Sequence, residues 1–263
     1  MQEFYTHRRS AIHQVDARVK IILTLAFIIF LNLAPAGAWP AYILFLSLVL
    51  SLSIAARLGI GFVIKRSWIA VPFALAALPL VITGSAPHVL VSILPGLQVN
   101  ISPAGAERFA SIAVRSWISL QAAILLAGTT RFNSLMNGFQ QLKVPAVFIT
   151  TIRLMWRYLF VLIDEAASLM TARLSRSASG PMGQRSGGRV VWRAMVTGNM
   201  AGSLFLRSIE RSERVYAAML ARGYSGVLPA SETVPFSRSE WIALSAGLAV
   251  LALLWLSGLL TGG

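Results

Sequence analysis

Charged residues are scarce in this chain. Only 12% of its 263 residues are Asp, Glu, Lys or Arg, and 56% are hydrophobic. Soluble globular domains carry about 25% charged residues. A deficit of this size excludes a water-soluble protein of this length and predicts an integral membrane protein. Cysteine is absent, which excludes disulfides, thiolate metal sites and a cysteine nucleophile.

Residues that bind nucleotides or metals are also few. The three lysines, Lys20, Lys65 and Lys143, do not complete a Gly-x-x-x-x-Gly-Lys pattern, so the chain has no P-loop for ATP. The three histidines, His7, His13 and His88, do not have the close spacing of a ligand set, and no acid cluster accompanies them, so we expect no metal site. Asp164 and Glu165 are adjacent and do not form a pair across a site. We therefore expect no enzyme and no cofactor in this chain.

Long apolar segments are what the chain has in abundance. Crossing about 30 Å of hydrocarbon takes about 20 residues as a helix. Five segments reach or approach that length: Val19–Leu33, Trp39–Ala56, Trp68–Gly84, Phe109–Gly128 and Trp241–Leu259. We predict an all-α, polytopic membrane protein with about five transmembrane helices. The outer loop Ser85–Glu107 contains three prolines and is expected to be irregular.

The basic residues are unevenly distributed. Arg131–Arg238 holds 14 of the 23 lysines and arginines. With the N-terminus in the cytoplasm, 21 of the 23 lie on the cytoplasmic side, while Arg108 lies outside and Arg115 lies within the fourth span. The positive-inside rule favours this arrangement, with the C-terminus outside. The net charge of +14 is then explained by topology and contact with membrane lipid, and no nucleic acid is expected.

Three regions follow from this topology: residues 1–128 with four transmembrane helices, 129–238 as a cytoplasmic helical region, and 239–263 with the last transmembrane helix. Val144–Ile163 is apolar enough for a sixth span. Arg153, Arg157 and Asp164 share one stripe of that helix, however, and an arginine at span depth costs about 2.5–3.5 kcal/mol. We predict an amphipathic helix at the inner interface instead.

Two stretches of the cytoplasmic region resemble each other. Asp164–Ser177 and Glu210–Gly223 both begin with an acid and reach an arginine twelve residues later. The first ends as Ser175, Arg176 and Ser177, and the second as Ala221, Arg222 and Gly223. Gly223 stands where a left-handed residue ends a helix, so Arg222 should project from the helix end.

An arginine at a helix end can simply complement the helix dipole, which stabilises by about 0.3–1 kcal/mol. The repetition of the pattern favours a second role, a charge-assisted and bidentate contact with a partner carboxylate, of about 1.5–3 kcal/mol each.

The helix that contains the second stretch, Val191–Arg222, has two faces at 100° per residue. Its basic face consists of Arg193, Arg207, Glu210, Arg211, Arg214 and Arg222. Its apolar face consists of Phe205, Leu206, Ile209, Tyr216, Met219 and Leu220. Gly198 and Gly202 have the spacing that permits close helix crossing.

Glu210–Gly223, Arg153–Ala166 and His13–Lys20 together resemble the transmembrane T components of energy-coupling factor transporters, most closely the cobalt-type CbiQ family. The resemblance implies that the two arginine-tipped ends cap coupling helices that rest in grooves of two cytoplasmic ATPase subunits. It assigns the contact to Ser175, Arg176, Ser177, Ala221, Arg222 and Gly223, with Arg157, Asp164, Glu165, Glu210, Arg211 and Arg214 in support. This sequence departs from the family at both flanks of Arg176.

The function implied is transmission of ATPase motion to a separate, metal-binding membrane subunit of an importer in the cell (inner) membrane. ATP and Mg would be bound by the ATPases, and a cobalt ion by the partner membrane subunit. A T component for nickel or a vitamin would have the same coupling residues. A membrane-embedded enzyme with a basic face for anionic lipid, or a membrane anchor with a basic patch, are more distant alternatives.

Overall fold

The computed structural model describes residues 12, 15–57, 59–68, 72, 75–76, 78–79, 89–94, 97–176, 190–226 and 235–261. In these residues the chain forms eight helices and one hairpin. The helices are α1 (Ala17–Leu33), α2 (Trp39–Ala55), α3 (Ile60–Ser67), α4 (Pro103–Thr129), α5 (Phe132–Gln141), α6 (Ala146–Arg176), α7 (Val190–Ala221) and α8 (Arg238–Thr261). The all-α membrane class is confirmed.

The hairpin corrects the expectation of an irregular outer loop. Strands β1 (Val89–Leu94) and β2 (Leu97–Ile101) pair antiparallel, with Val89 opposite Ile101 and Leu94 opposite Leu97. Both strands are rich in Val, Ile and Leu, and Pro95 and Gly96, a dipeptide that favours turns, stand between them in the sequence. The last residues of the predicted loop, from Pro103 to Glu107, are helical, because α4 begins at Pro103.

The described chain forms two compact units, residues 12–142 with 235–261, and residues 143–226. The first unit is a bundle in which α1 packs against α4, α5 and α8, and α2 packs against α4 and α8. Its core centres on Phe27 and Phe45, whose rings meet edge to face at 5.3 Å. Helix α5 belongs to this bundle and approaches α1 so closely that a Cβ on Gly138 would lie 2.9 Å from Ile21 Cδ1.

Three described helices are long and apolar enough to cross a membrane: α4, Ala146–Ser175 of α6, and α8. Helix α2 is apolar but shorter, and α1, at 17 residues, would reach about 26 Å. The predicted span Trp68–Gly84 lies largely outside the described residues. Because α6 satisfies the length and composition of a span, its assignment as an interfacial helix stays a prediction.

Arg115 is accommodated inside the bundle. From α4 its Nε donates to the hydroxyl of Tyr42 at 2.9 Å, and its Nη1 donates to the carbonyl of Asn32 at 3.3 Å. The Tyr42 hydroxyl in turn donates to the carbonyl of Pro35 at 2.6 Å. A buried tyrosine therefore connects the arginine of α4 to the turn between α1 and α2 and supplies an acceptor for the donors of its guanidinium.

The start of α1 is held by a compact charged cluster. Asp16 caps the helix by accepting from the backbone N–H of Arg18 at 2.7 Å. The buried Arg18 guanidinium binds the same carboxylate through Nε and Nη2, both at 3.2 Å, and stacks over Phe236 at 4.1 Å. Partial burial would raise the pKa of Asp16, but the hydrogen bonds and charge of Arg18 outweigh this and lower it from its ordinary value.

Candidate functional site

Helices α6 and α7 form an antiparallel pair within the second unit. Arg173, near the end of α6, donates from Nη1 to Thr197 Oγ1 near the start of α7, at 3.2 Å. Earlier in α6, Glu165 meets Arg207 and Arg211, which come later in α7. As the residue number rises along α6 it therefore falls along the facing part of α7.

Glu165 is the main polar link between these helices. Its Oε1 lies 3.3 Å from Arg207 Nη1 and its Oε2 lies 3.4 Å from Arg211 Nη2. The carboxylate is mostly buried, with 18% of its side chain exposed, and it receives one guanidinium on each oxygen. Ion pairs of this partly exposed kind contribute up to about 1 kcal/mol each.

This link changes the expected role of the basic face of α7. Arg207 and Arg211 belong to the predicted basic face of α7, yet both contact Glu165 of the same chain. Arg214 is 69% exposed and lies 3.9 Å from Glu210, one turn earlier on the same helix. In α6, Asp164 and Arg157 are exposed. Arg157, Asp164, Glu210 and Arg214 are thus among the charged groups that the pair leaves exposed, together with Arg193, Glu213 and Arg222.

The end of α7 has the geometry of a Schellman motif. The N–H of Tyr224 donates to the carbonyl of Met219 at 3.0 Å, and the N–H of Gly223 donates to the carbonyl of Leu220 at 2.9 Å. Gly223 has φ +81°, the left-handed region that glycine adopts without steric cost. The predicted glycine cap is confirmed. A side chain at position 222 therefore leaves the helix at its last turn.

Arg222 is exposed at this turn. Among the described residues no ion pair or side-chain hydrogen bond engages its guanidinium. Ala221 is the last residue of the helix and is exposed as well. The five donors of an exposed guanidinium at a capped helix end are well placed for a carboxylate outside the chain.

The first arginine stands at the end of α6. The helix ends at Arg176, and Ser175 is exposed and donates to the carbonyl of Ala172 at 2.9 Å. Ser177 lies outside the described residues. The two arginines therefore both occupy helix ends, as the repeated pattern predicts.

The antiparallel arrangement separates the two helix ends. Arg173 lies beside Thr197, and Arg222 follows Thr197 by 25 residues of α7 and its terminal turn. At 1.5 Å per residue, this places Arg222 roughly 38 Å from the end of α6. The sequence alone did not reveal this separation. The two arginines therefore do not belong to one local cluster of side chains.

An open groove lies along the facing sides of the pair. A cavity of about 410 Å³ lies between the first half of α6 and the second half of α7. Its walls are mainly apolar and aromatic, including Leu154, Tyr158, Val215 and Met219. Helix α7 has no buried residue in the described part of the chain. The two helices are thus joined by a few contacts and are not embedded in a continuous core.

The outer apolar face of α7 is open. Phe205 and Leu206 are 64% and 62% exposed, and Ile209 follows at 41%. On the same side, a Cβ built on Gly198 or Gly202 would have nothing within 4 Å. In the second unit as described, no helix of this chain therefore occupies the predicted glycine crossing site.

Acidic and histidine side chains do not group in the described residues. No three of His, Cys, Asp or Glu lie close enough there to hold a metal ion. His13 lies outside the described residues. The binding of cobalt by a partner subunit stays a prediction.

Comparison with known proteins places these features in a family. Residues 8–234 match the family CbiQ, described as cobalt transport protein. The chain belongs to the CbiQ family. It is 29% identical over 171 residues to the cobalt transport protein CbiQ of Rhodobacter capsulatus, a match that covers 65% of each chain.

Two further relatives widen the comparison. The chain is 26% identical over 265 residues to the putative fused cobalt transport protein CbiMQ of Methanocorpusculum labreanum, covering 95% of this chain and 40% of that protein. It is 24% identical over 276 residues to the energy-coupling factor transporter transmembrane protein EcfT of Ruminiclostridium cellulolyticum, covering 95% and 93%. This CbiQ-family chain is a multi-pass transmembrane component of an energy-coupling factor transporter, and its family consists of transport proteins rather than catalytic enzymes.

Proposed function

We propose that this CbiQ-family protein is the coupling subunit of an ATP-driven cobalt importer. It transmits the motion of two cytoplasmic ATPase subunits, which bind ATP and Mg, to a separate membrane subunit that binds the cobalt ion. The observation that carries this proposal is that a single antiparallel helix pair places an arginine at each of its two distant ends.

Each helix end would contact one ATPase subunit. The roughly 38 Å between the ends matches a requirement for two separate binding grooves better than one shared groove. A planar guanidinium offers two parallel N–H donors to a carboxylate, which an ammonium does not. The contacts would be flanked by Ser175, Ser177, Ala221 and Gly223. The ion pairs of Glu165 with Arg207 and Arg211 would keep the distance between the two helix ends constant.

The open apolar face of α7 would contact the metal-binding membrane subunit. Phe205, Leu206 and Ile209 are large, apolar and exposed, and the two glycines beside them admit a close helix crossing. The relative in which a cobalt transport protein is fused as CbiMQ supports a membrane partner of this kind. We call α6 and α7 the coupling pair. A partner shifts the equilibrium between two arrangements of this pair only if it binds one arrangement better than the other.

The topology follows from the basic residues. With the N-terminus in the cytoplasm and the C-terminus outside, both helix ends would lie on the cytoplasmic side of the cell membrane, where ATPases are found. Cobalt is the substrate that the family name suggests, and nickel or a vitamin would use the same coupling residues. Uptake of radiolabelled cobalt or nickel by cells with the complete transporter separates these possibilities.

Co-purification of the ATPase subunits with charge-reversed variants tests the docking. In Arg222→Glu, or in Arg176→Glu, one contact of about 1.5–3 kcal/mol becomes repulsive, so ATPase retention should fall about tenfold or more. The double variant, Arg176→Glu with Arg222→Glu, should retain neither ATPase subunit. Arg222→Lys keeps the positive charge but loses the two parallel N–H donors of the guanidinium. It should therefore weaken ATPase retention less than Arg222→Glu does.

Lys65→Glu is the matched control, because it reverses an exposed basic residue that belongs to neither α6 nor α7. Elution of each variant as a monodisperse membrane protein shows that it is folded. A folded double variant that still brings down both ATPase subunits at the wild-type level refutes docking through the arginines.

A further inference from the structure

A polar cavity of about 390 Å³ lies in the membrane bundle where α1 begins, α4 ends and α5 begins. A volume of this size suits a small ligand. Its wall contains the cationic side chains of Lys20 and Arg131 and the uncharged polar side chains of Thr130, Ser134 and Asn137. It is distinct from the coupling pair, and the transport role described above does not use it.

The charge around the cavity is positive. Lys20 donates to the carbonyl of Thr129 at 3.4 Å, which holds its ammonium between the start of α1 and the end of α4. Asp16 is the single acid among the lining residues, and both its carboxylate oxygens are engaged by Arg18 at 3.2 Å. Asp16 also attracts Lys20, but this single carboxylate is outnumbered by the cations of Arg18, Lys20 and Arg131, so the field around the cavity is positive.

Neutral donors face the same space. Helix α5 begins here at Phe132 with no side-chain cap on its N-terminus, and Ser134 stands in its first turn. Thr130 is 5% exposed, and its hydroxyl is buried in the cavity wall with no hydrogen-bond partner among the described residues. A buried hydroxyl without a partner costs about 1–3 kcal/mol, which a ligand oxygen would recover.

We propose that this cavity binds an anion of the phosphate class. An ammonium, a guanidinium, a hydroxyl and a helix N-terminus are the donors that a multi-oxygen anion requires. Lys20 is the fourth residue of α1 and Thr129 the last of α4, so the cavity lies at the boundary of two membrane helices. This is the level of lipid headgroups, and the phosphate of an anionic lipid or free phosphate can supply the ligand.

Thermal unfolding of the full chain in lipid nanodiscs tests the site. Nanodiscs of phosphatidylcholine are compared with nanodiscs of phosphatidylcholine and phosphatidylglycerol, and inorganic phosphate is titrated into the first set. The anionic lipid should raise the unfolding temperature of the wild type, because a ligand of the folded state stabilises it. Lys20→Gln should weaken binding about tenfold and remove most of the rise.

Thr130→Val gives a readout that a purely structural role would not produce. In phosphatidylcholine alone it should leave stability equal or higher, because it removes the buried hydroxyl that lacks a partner. With the anionic lipid it should reduce the rise. Lys143→Gln is the control, because it removes an exposed cation outside the cavity and should keep the full rise.

A rise with inorganic phosphate that both variants lose supports the site and assigns it to a soluble anion. A rise with anionic lipid alone supports the site and assigns it to the headgroup. The proposal is overturned if neither ligand raises the unfolding temperature. It is equally overturned if the ligand raises the unfolding temperatures of Lys20→Gln and Thr130→Val as much as that of the wild type. Neither result bears on ATPase docking, which depends on a different unit of the chain.

Discussion

The separation of the two arginine ends can be measured directly. The chain has no cysteine, so Leu174→Cys with Leu220→Cys introduces its only thiols for spin labels. Both leucines are exposed, at 67% and 50%, and each lies two residues before an arginine, Arg176 or Arg222.

The expected distance follows from the contact between α6 and α7. Arg173 lies beside Thr197, and Leu220 is 23 residues further along α7. At 1.5 Å per residue the labels should be about 35 Å apart. Leu174→Cys with Met195→Cys is the control, because both positions lie at the same end of the pair. Its backbone separation should be near the 8–10 Å of neighbouring helix axes.

Pulsed electron-electron double resonance on the purified subunit provides the distances. If the labels at positions 174 and 220 gave a distance as short as that of the control, the antiparallel arrangement would be refuted. The argument for two ATPase subunits would fail with it. Adding Glu165→Ala should broaden the long distribution without shifting its mean greatly, because it removes the contacts of that carboxylate with two arginines, of about 1 kcal/mol each at most.

Three further outcomes are expected. Tyr42→Phe should destabilise the bundle by about 1.5–3 kcal/mol in thermal unfolding, because Arg115 loses its buried acceptor; an unchanged unfolding temperature would contradict this. The contribution of Asp16, whose pKa is lowered by Arg18, should be fully present above the ordinary carboxyl pKa of about 3.9 and lost as pH falls through its folded value. The stability difference between wild type and Asp16→Asn should therefore shrink in acid, and a constant difference would contradict the assignment. Gly202→Leu should keep or raise the stability of the isolated subunit, since Leu has the better helix propensity and open space surrounds the site, while it weakens co-purification of the metal-binding membrane subunit; unchanged co-purification would argue against that face.

Local sequence signals were sufficient where the structure depends on neighbouring residues. Apolar length predicted the helices α2, α4 and α8, because the bilayer requires a minimum number of residues. The Arg222–Gly223 pair predicted the left-handed cap, because few residues other than glycine adopt that conformation easily.

Features that depend on distant residues could not be predicted in this way. Nothing near Glu165 indicates that Arg207 and Arg211 would meet it across a helix pair. The role of Arg115 depends on a tyrosine 73 positions away. The hairpin is a different case, because its turn dipeptide, Pro95-Gly96, is visible in the sequence. The prediction of an irregular loop gave too much weight to the prolines around it.

The weak anchoring of α7 is consistent with a role in transmitting motion. A helix held by its own core would keep one orientation whatever its partners did, because burying a large apolar side chain contributes about 1.5–3 kcal/mol. Helix α7 has no buried residue in the described chain, and its contacts with α6 include the polar contacts of Glu165 and Arg173. Its apolar residues Phe205 and Leu206 are left for a partner or lipid to cover. Under the proposed function, contacts with other subunits would exceed those within the chain, and these partners, more than the subunit's own core, would set the angle between α6 and α7.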